Sequence, residues 1–96
     1  MVAGTGHEML RRHSCKDGMF IRTTFLKDYS WNLADSRHAE GTIKVGSGTV
    51  FAEIQKYASA RGRFIASGWC PTVGVVGFML GGGHGPFAPS KGLGVD

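Results

Sequence analysis

Cysteine is scarce in this 96-residue chain: Cys15 and Cys70 are the two present, and they form no CxxC pair. Without that spacing there is no sign of a structural zinc site or a thioredoxin-like centre, and the two thiols could form one disulfide or none. The histidines, His7, His13, His38 and His84, have no i, i+4 pair among them, so no metal ion is expected. No apolar run approaches the length needed to cross a bilayer. The opening MVAGTGHEMLRR lacks a basic region followed by an apolar core, so no secretion signal is read and the compartment is not written in the chain. Lys and Arg outnumber Asp and Glu by 11 to 7, yet they are scattered from Arg11 to Lys91 without a dense stripe. A net charge of +4 so dispersed gives no reason to expect a nucleic-acid partner.

Glycine is what the chain has in excess. Its 16 glycines gather toward the C-terminal half without a fixed period, which excludes a collagen-like repeat and points to local loops. A content of 42% hydrophobic and 19% charged residues is that of a folded domain rather than a disordered tail. The length allows one small domain with a modest core, or part of one.

Hydrophobic periodicity gives an α/β (α+β) fold class. Val50, Phe51, Ile54, Tyr57 and Ala58 recur at three and four residues, predicting a helix over Thr49–Arg61. Ser47 or Thr49 is the expected cap, Glu53 stands near the first turn, and Gly62 is placed to end the helix. Strands are expected at Met19–Phe25, Thr42–Val45 and Arg63–Ser67, so that the helix lies in a strand–helix–strand unit. Val2 to Gly6 reads as the end of a strand entering a glycine turn with nothing before it to pair with. His7 to Ser14 reads as a loop or single helical turn, and Asp17-Gly18 as a turn favouring positive φ. Leu26 to Asn32 reads as a polar stretch in which Tyr29 and Trp31 are available for packing. Val73, Val76 and Leu80 stand at helical spacing in a segment whose glycines leave it open, and the chain after Gly85 reads as a loop with Pro86 and Pro89.

Three motifs compete for the chemistry. Gly46-x-Gly48, between a strand and a helix, has the beginning of a dinucleotide-binding turn. Phe51 stands in the third glycine position, however, and no acidic residue lies about twenty positions on, so an ordinary strand-to-helix turn is the alternative. Gly77 to Gly82 has the interval of a P-loop, but Gly83-His84 occupies the place of Lys-Ser/Thr. Cys70 with His84 would make a thiolate and base pair, with no third group to orient the base. Cys70 itself, between Trp69 and Pro71, is either a buried small hydrophobe or a nucleophile at the mouth of the glycine-rich run SGWCPTVGVVGFMLGGGHG. Glycine at that density is tolerated where backbone takes positive φ or approaches something closely, such as a large flat or phosphorylated ligand.

Two segments carry a family resemblance. Cys70-Pro71-Thr72-Val73-Gly74, continuing through Gly77 to Gly81, Gly82 and Gly83, resembles the segment in which FAD-linked oxidases of the berberine-bridge type carry a cysteine bonded to the flavin ring. Thr5-Gly6-His7 is similar to the Gly-Gly-His whose histidine bonds the flavin 8α methyl carbon in that family, which includes vanillyl-alcohol oxidase. Met19 to Leu26, Ile43 to Gly68 and Ser90 to Asp96 resemble the intervening and following passages, so the likeness covers nearly the whole chain. Thr5 departs from the usual glycine, and Ala3 stands where a basic residue is common.

The resemblance implies that residues 1–96 are part of a PCMH-type FAD-binding domain whose N- and C-terminal parts lie outside this chain. Gly6, His7, Cys70, Pro71, Thr72, Val73, Gly74, Gly77, Gly81, Gly82 and Gly83 would be cofactor-binding residues, with FAD attached twice, through His7 and Cys70. The implied reaction is hydride transfer from a small organic substrate to FAD, reoxidised by dioxygen or another acceptor. The substrate and its base would belong to the remainder of such a protein. The competing expectation is a non-catalytic remnant that keeps the pattern and binds no cofactor. Nothing in the sequence sets the oligomeric state.

Overall fold

The computed structural model describes residues 1–96, and its best-packed element is the expected helix, α1 (Phe51–Ser59). Phe51, Ile54 and Ala58 are buried on its inner face. Just past its end Gly62 takes φ +66°, and the Arg63 N–H donates back to the Ala58 carbonyl at 3.0 Å. The start differs from expectation. Val50, in extended conformation, is the residue that caps the helix, and neither Ser47 nor Thr49 supplies a side chain there. Glu53 does so instead: its Oε2 accepts from the Val50 N–H at 3.1 Å, while its Oε1 accepts from Lys27 Nζ at 2.7 Å. Thr49 is fully buried with its hydroxyl unpaired.

Lys27 and then the Val50 N–H hold the Glu53 carboxyl below its ordinary value. A carboxyl lowered on folding stabilises the fold above its unfolded pKa, and that contribution is lost as pH falls through the folded value. Acidification below about pH 4 is therefore expected to lower Tm. Glu53→Gln removes part of the slope, and parallel wild-type and Gln melting profiles across that range would refute the assignment.

Two small sheets flank the helix. β1 (Val2–Ala3) runs parallel to β2 (Ile21–Arg22), with Val2 opposite Ile21. β3 (Tyr29–Asn32) runs antiparallel to β4 (Thr42–Val45), Tyr29 opposite Val45 and Asn32 opposite Thr42. β4 is the strand expected from the sequence. The strand expected over Met19–Phe25 shrinks to two residues, because β1 ends at the Gly4 turn and the chain itself turns at Thr23, whose carbonyl accepts from Leu26 N–H at 2.9 Å. β1 finds its partner in β2, which follows it in the chain. The polar stretch Leu26 to Asn32 contains the unexpected strand β3, from which Tyr29 and Trp31 alternate onto one face and pack on Tyr57, with ring centroids at 4.8 and 6.5 Å.

Arg63–Ser67 is not a strand. The segment has no regular structure and no neighbouring strand bonds to it; Ser67 is instead held by Gln55 of α1 and covered by Gly85. The strand–helix–strand unit is thus a strand, a helix and an irregular segment. The glycine-containing stretch after it folds into α2 (Val75–Leu80), with Val73 ahead of its first turn, and the expected C-terminal loop contains one helical turn, α3 (Ala88–Lys91), with Pro89 in its first turn.

α1 and α2 meet in the core. Phe51, Ile54 and Val75 are its buried centre, with Ile43 and Val45 of β4, Ile65 and Phe78 packed around them. The rings of Phe51 and Phe78 meet edge to face at 4.8 Å. Backbone bonds fix the two helices together: Phe51 N–H to Val73 O at 3.1 Å, Ala52 N–H to Pro71 O at 2.9 Å, and Val75 N–H to Thr49 O at 3.0 Å. The loop that begins at Cys70 is therefore anchored to the most buried part of the chain.

Candidate functional site

The glycine turn ahead of α1 is fully occupied by the chain itself. Gly46 N–H donates to Asp28 O at 2.6 Å and Gly48 N–H to Leu26 O at 2.8 Å. A Cβ at Gly48 would collide with the carbonyls of Thr23 and Thr24, and one at Gly46 with that of Leu26. The following amides of Val50, Phe51 and Ala52 are bonded to Glu53, Val73 and Pro71. A pyrophosphate would have to break these bonds, so Gly46-x-Gly48 is a strand-to-helix turn made tight by crossing backbone.

The loop after β1 is the opposite case. The amides of Gly4, Thr5, Gly6 and His7 donate to no protein acceptor, and Gly6 is at φ +86°. This loop lines a cleft of about 490 Å³. The facing wall is α2 and the residues before it, Val73, Gly74, Val76 and Gly77. A Cβ on Gly77 or Gly6 would meet nothing within 4 Å, so both leave room beside the cleft. Gly74 has a structural reason to be glycine: its Cβ would stand 2.9 Å from Thr5 Oγ1. The threonine that departs from the usual glycine thus rests on Gly74.

Other expected site residues lie elsewhere. Pro71 gives its carbonyl to α1. Gly81 ends α2, Gly82 follows at φ +96°, and Gly83, at φ +75°, lies where a Cβ would come within 2.7 Å of Gly94 Cα. These three stand past the far end of α2, outside the cleft lining.

His7 and Cys70 are brought to the same place by one hydroxyl. Thr72 Oγ1 lies 2.9 Å from His7 Nε2 and 3.3 Å from Cys70 Sγ. Cys70 is exposed and free, so it is not the buried packing residue that was one of its two expected roles. The Thr72 hydroxyl, then the Thr72 and Val73 main-chain N–H groups, hold its thiol below the ordinary value. These donors are neutral and favour the thiolate by hydrogen bonding. His84 makes no hydrogen bond to Cys70 and lies against Trp69 at 6.0 Å between ring centroids, so the Cys70–His84 pair is not assembled.

Glu8 and His13 also line the cleft; sequence reading assigned no role to Glu8 and weighed His13 only as a metal ligand without a partner at ligand spacing. Glu8 accepts from both the main-chain N–H and the Nε of Arg12 at 2.7 Å, a pairing that its four-residue spacing from Arg12 could have suggested. His13 Nδ1 is buried without a hydrogen-bond partner, 3.8 Å from a Glu8 oxygen. The backbone reversal that carries His13 back toward the cleft depends on Arg11 at φ +57°, for which a bulky arginine gives no sequence signal.

The chain is similar along its whole length to fungal flavoproteins. It is 33% identical over 98 residues to the FAD-linked oxidoreductase ZEB1 of Gibberella zeae, a match that covers 100% of this chain and 17% of that relative. It is 35% identical over 105 residues to the FAD-linked oxidoreductase malF of Malbranchea aurantiaca (100% of this chain, 18% of the relative). With the FAD-linked oxidoreductase sthB of Phaeosphaeria nodorum it shares 36% over 98 residues (100% and 31%). The chain thus spans a minor part of the relatives it matches. No solved structure matches it. The glycine-lined cleft and the residues around it fall within a match to the family described as FAD binding domain, which runs from residue 1 to 96, and the chain belongs to that family.

Proposed function

We propose that this chain forms the flavin-holding part of an FAD-linked oxidoreductase, with FAD in the cleft between the Gly4–His7 loop and α2. His7 would attach at the 8α carbon and Cys70 at the neighbouring edge of the ring. The observation that carries this reading is the shared Thr72 hydroxyl, which unites His7 and Cys70 across 65 positions of sequence, counted from His7 to Thr72. The residues fit the cofactor. Four successive unpaired amides in the cleft lining are free to donate to an anion such as a pyrophosphate, and the open sides of Gly6 and Gly77 admit close approach of a flat group.

When bound, FAD supplies the redox chemistry, accepting hydride from an organic substrate and passing electrons to dioxygen or another acceptor. The chain's own part is to hold and orient. The 4–7 amides give fixed dipoles, α2 closes one wall, and neutral donors hold the Cys70 thiol below its ordinary value. The substrate, its base and its partner surfaces belong to other parts of the protein in this reading.

Titrating the purified chain with FAD, followed by flavin absorbance and fluorescence, tests the proposal. Gly77→Ala separates site from fold. Gly77 is inside a helix with no steric need for glycine, so alanine should raise stability by about 0.5–1 kcal/mol. If FAD lies against it, the same change weakens FAD binding about tenfold, a loss of about 1.4 kcal/mol. A wild-type chain that binds no FAD while folded would favour the non-catalytic remnant, and unchanged affinity in Gly77→Ala would remove α2 from the site.

A further inference from the structure

We propose that Thr72 is a positioning residue that couples the tautomer of His7 to the protonation of Cys70. Its hydroxyl has one proton and two neighbours, so the two contacts cannot be set independently. If the proton points to His7 Nε2, the histidine is the acceptor and carries its proton on Nδ1, while Cys70 must donate as a thiol. If the proton points to sulfur, Cys70 is the acceptor, weakly as a thiol and strongly as a thiolate, and the Thr72 oxygen is left to accept from His7 Nε2–H. In that second arrangement a neutral His7 has its lone pair on Nδ1. With the sulfur as thiolate, both side chains are then nucleophiles at once, which neither is in the first.

The groups around the pair favour the second arrangement. The Thr72 hydroxyl 3.3 Å from the sulfur, with the Thr72 and Val73 main-chain N–H groups, holds the thiol below its ordinary value and so favours sulfur as acceptor, with no formal charge contributing. Glu8, the carboxylate of the same cleft, is engaged by Arg12, with His13 beside it; His84 lies on Trp69. None of them bonds to His7 or Cys70. The hydroxyl is thus the one hydrogen-bonded link from the loop after β1 to the loop before α2.

This rests on the flavin reading for its purpose, since two simultaneous nucleophiles are what a doubly attached flavin needs, but it is measured without flavin. In a Cys15→Ser chain, Cys70 is the single thiol, and the pH midpoint of its alkylation by iodoacetamide reads the thiol pKa. Thr72→Val keeps the shape and removes the hydroxyl; it should raise the midpoint by about one pH unit, a tenfold drop in thiolate fraction below it. Thr72→Ser should restore the wild-type midpoint. Nitrogen-15 shifts of His7 should report the Nε2–H tautomer in wild type and Thr72→Ser, and a mixture of tautomers in Thr72→Val. An unmoved midpoint in Thr72→Val overturns the proposal, as does a serine variant that behaves like valine. A raised midpoint with an unchanged His7 ring would assign the hydroxyl to Cys70 alone and overturn the coupling. Failure of FAD to bind, with the coupling intact, would remove the flavin reading and leave this one standing.

Discussion

Replacing Cys70 by alanine in protein purified with its flavin should leave FAD attached through His7 alone, and replacing His7 and Cys70 together should leave all of it removable by acid or denaturant. Each attachment needs an electron pair on an accessible atom. Cys70 is exposed and its thiol is lowered by three neutral donors; His7 is exposed and bonded to Thr72 through Nε2. The two changes act on different loops, His7 on the one after β1 in the cleft lining and Cys70 on the one before α2 just outside it, so each should remove one bond without unfolding the other loop. Peptide masses read the result directly: FAD mass on the His7 peptide and the Cys70 peptide in wild type, on one peptide in each single variant, on none in the double. FAD mass on the His7 peptide only, in wild type, would end the Cys70 assignment and keep the family. FAD on neither peptide in protein that nonetheless retains yellow cofactor would reduce the site to non-covalent binding.

What the sequence made legible is what depends on local pattern. α1 was readable because its stripe, Glu53 and Gly62 agree, and β4 because Ile43 and Val45 alternate with polar residues. β3 was hidden because only Tyr29 and Trp31 mark its inward face, and their partner, Tyr57, is on a distant helix. Arg63–Ser67 misled for the converse reason: apolar sequence favours a strand, but a ladder needs a neighbour. In the candidate site, resemblance alone pointed to Gly6, His7 and Cys70, and what the structure adds is that His7 and Cys70 share the Thr72 hydroxyl, while Gly77 is a glycine that helix geometry alone does not require. That shared hydroxyl was not legible, because a threonine two residues from a cysteine says nothing of a histidine on another loop. Nor could spacing separate the glycines that face the cleft from those, such as Gly48 and Gly83, made necessary by crossing backbone.

Phe51→Ala should destabilise the chain by about 3–5 kcal/mol, against about 5–15 kcal/mol of total stability for a domain of ordinary size. Phe51 is 1% exposed and stands at the centre of a buried cluster of only 3 residues, so few contacts can close over the space it leaves. The chain has little reserve elsewhere: 11 of its 96 residues are buried. Its Cα radius of gyration, 14.2 Å, exceeds the roughly 12–13 Å of a compact domain this long. The effect should reach the site. The amides of Phe51 and Ala52 hold the carbonyls of Val73 and Pro71, so loosening the start of α1 releases the loop that carries Cys70 and Thr72. In urea, Phe51→Ala should therefore lower the unfolding midpoint and, in the same samples, shift the alkylation of Cys70 toward that of an ordinary thiol. Phe25→Ala is the control, since Phe25 is 94% exposed and its loss should change stability by no more than about 0.5 kcal/mol. A Phe51→Ala chain that unfolds at the wild-type urea concentration would mean that α1 and α2 do not form the core, and a Cys70 thiol unchanged while α1 unfolds would mean that the loop is held from somewhere else.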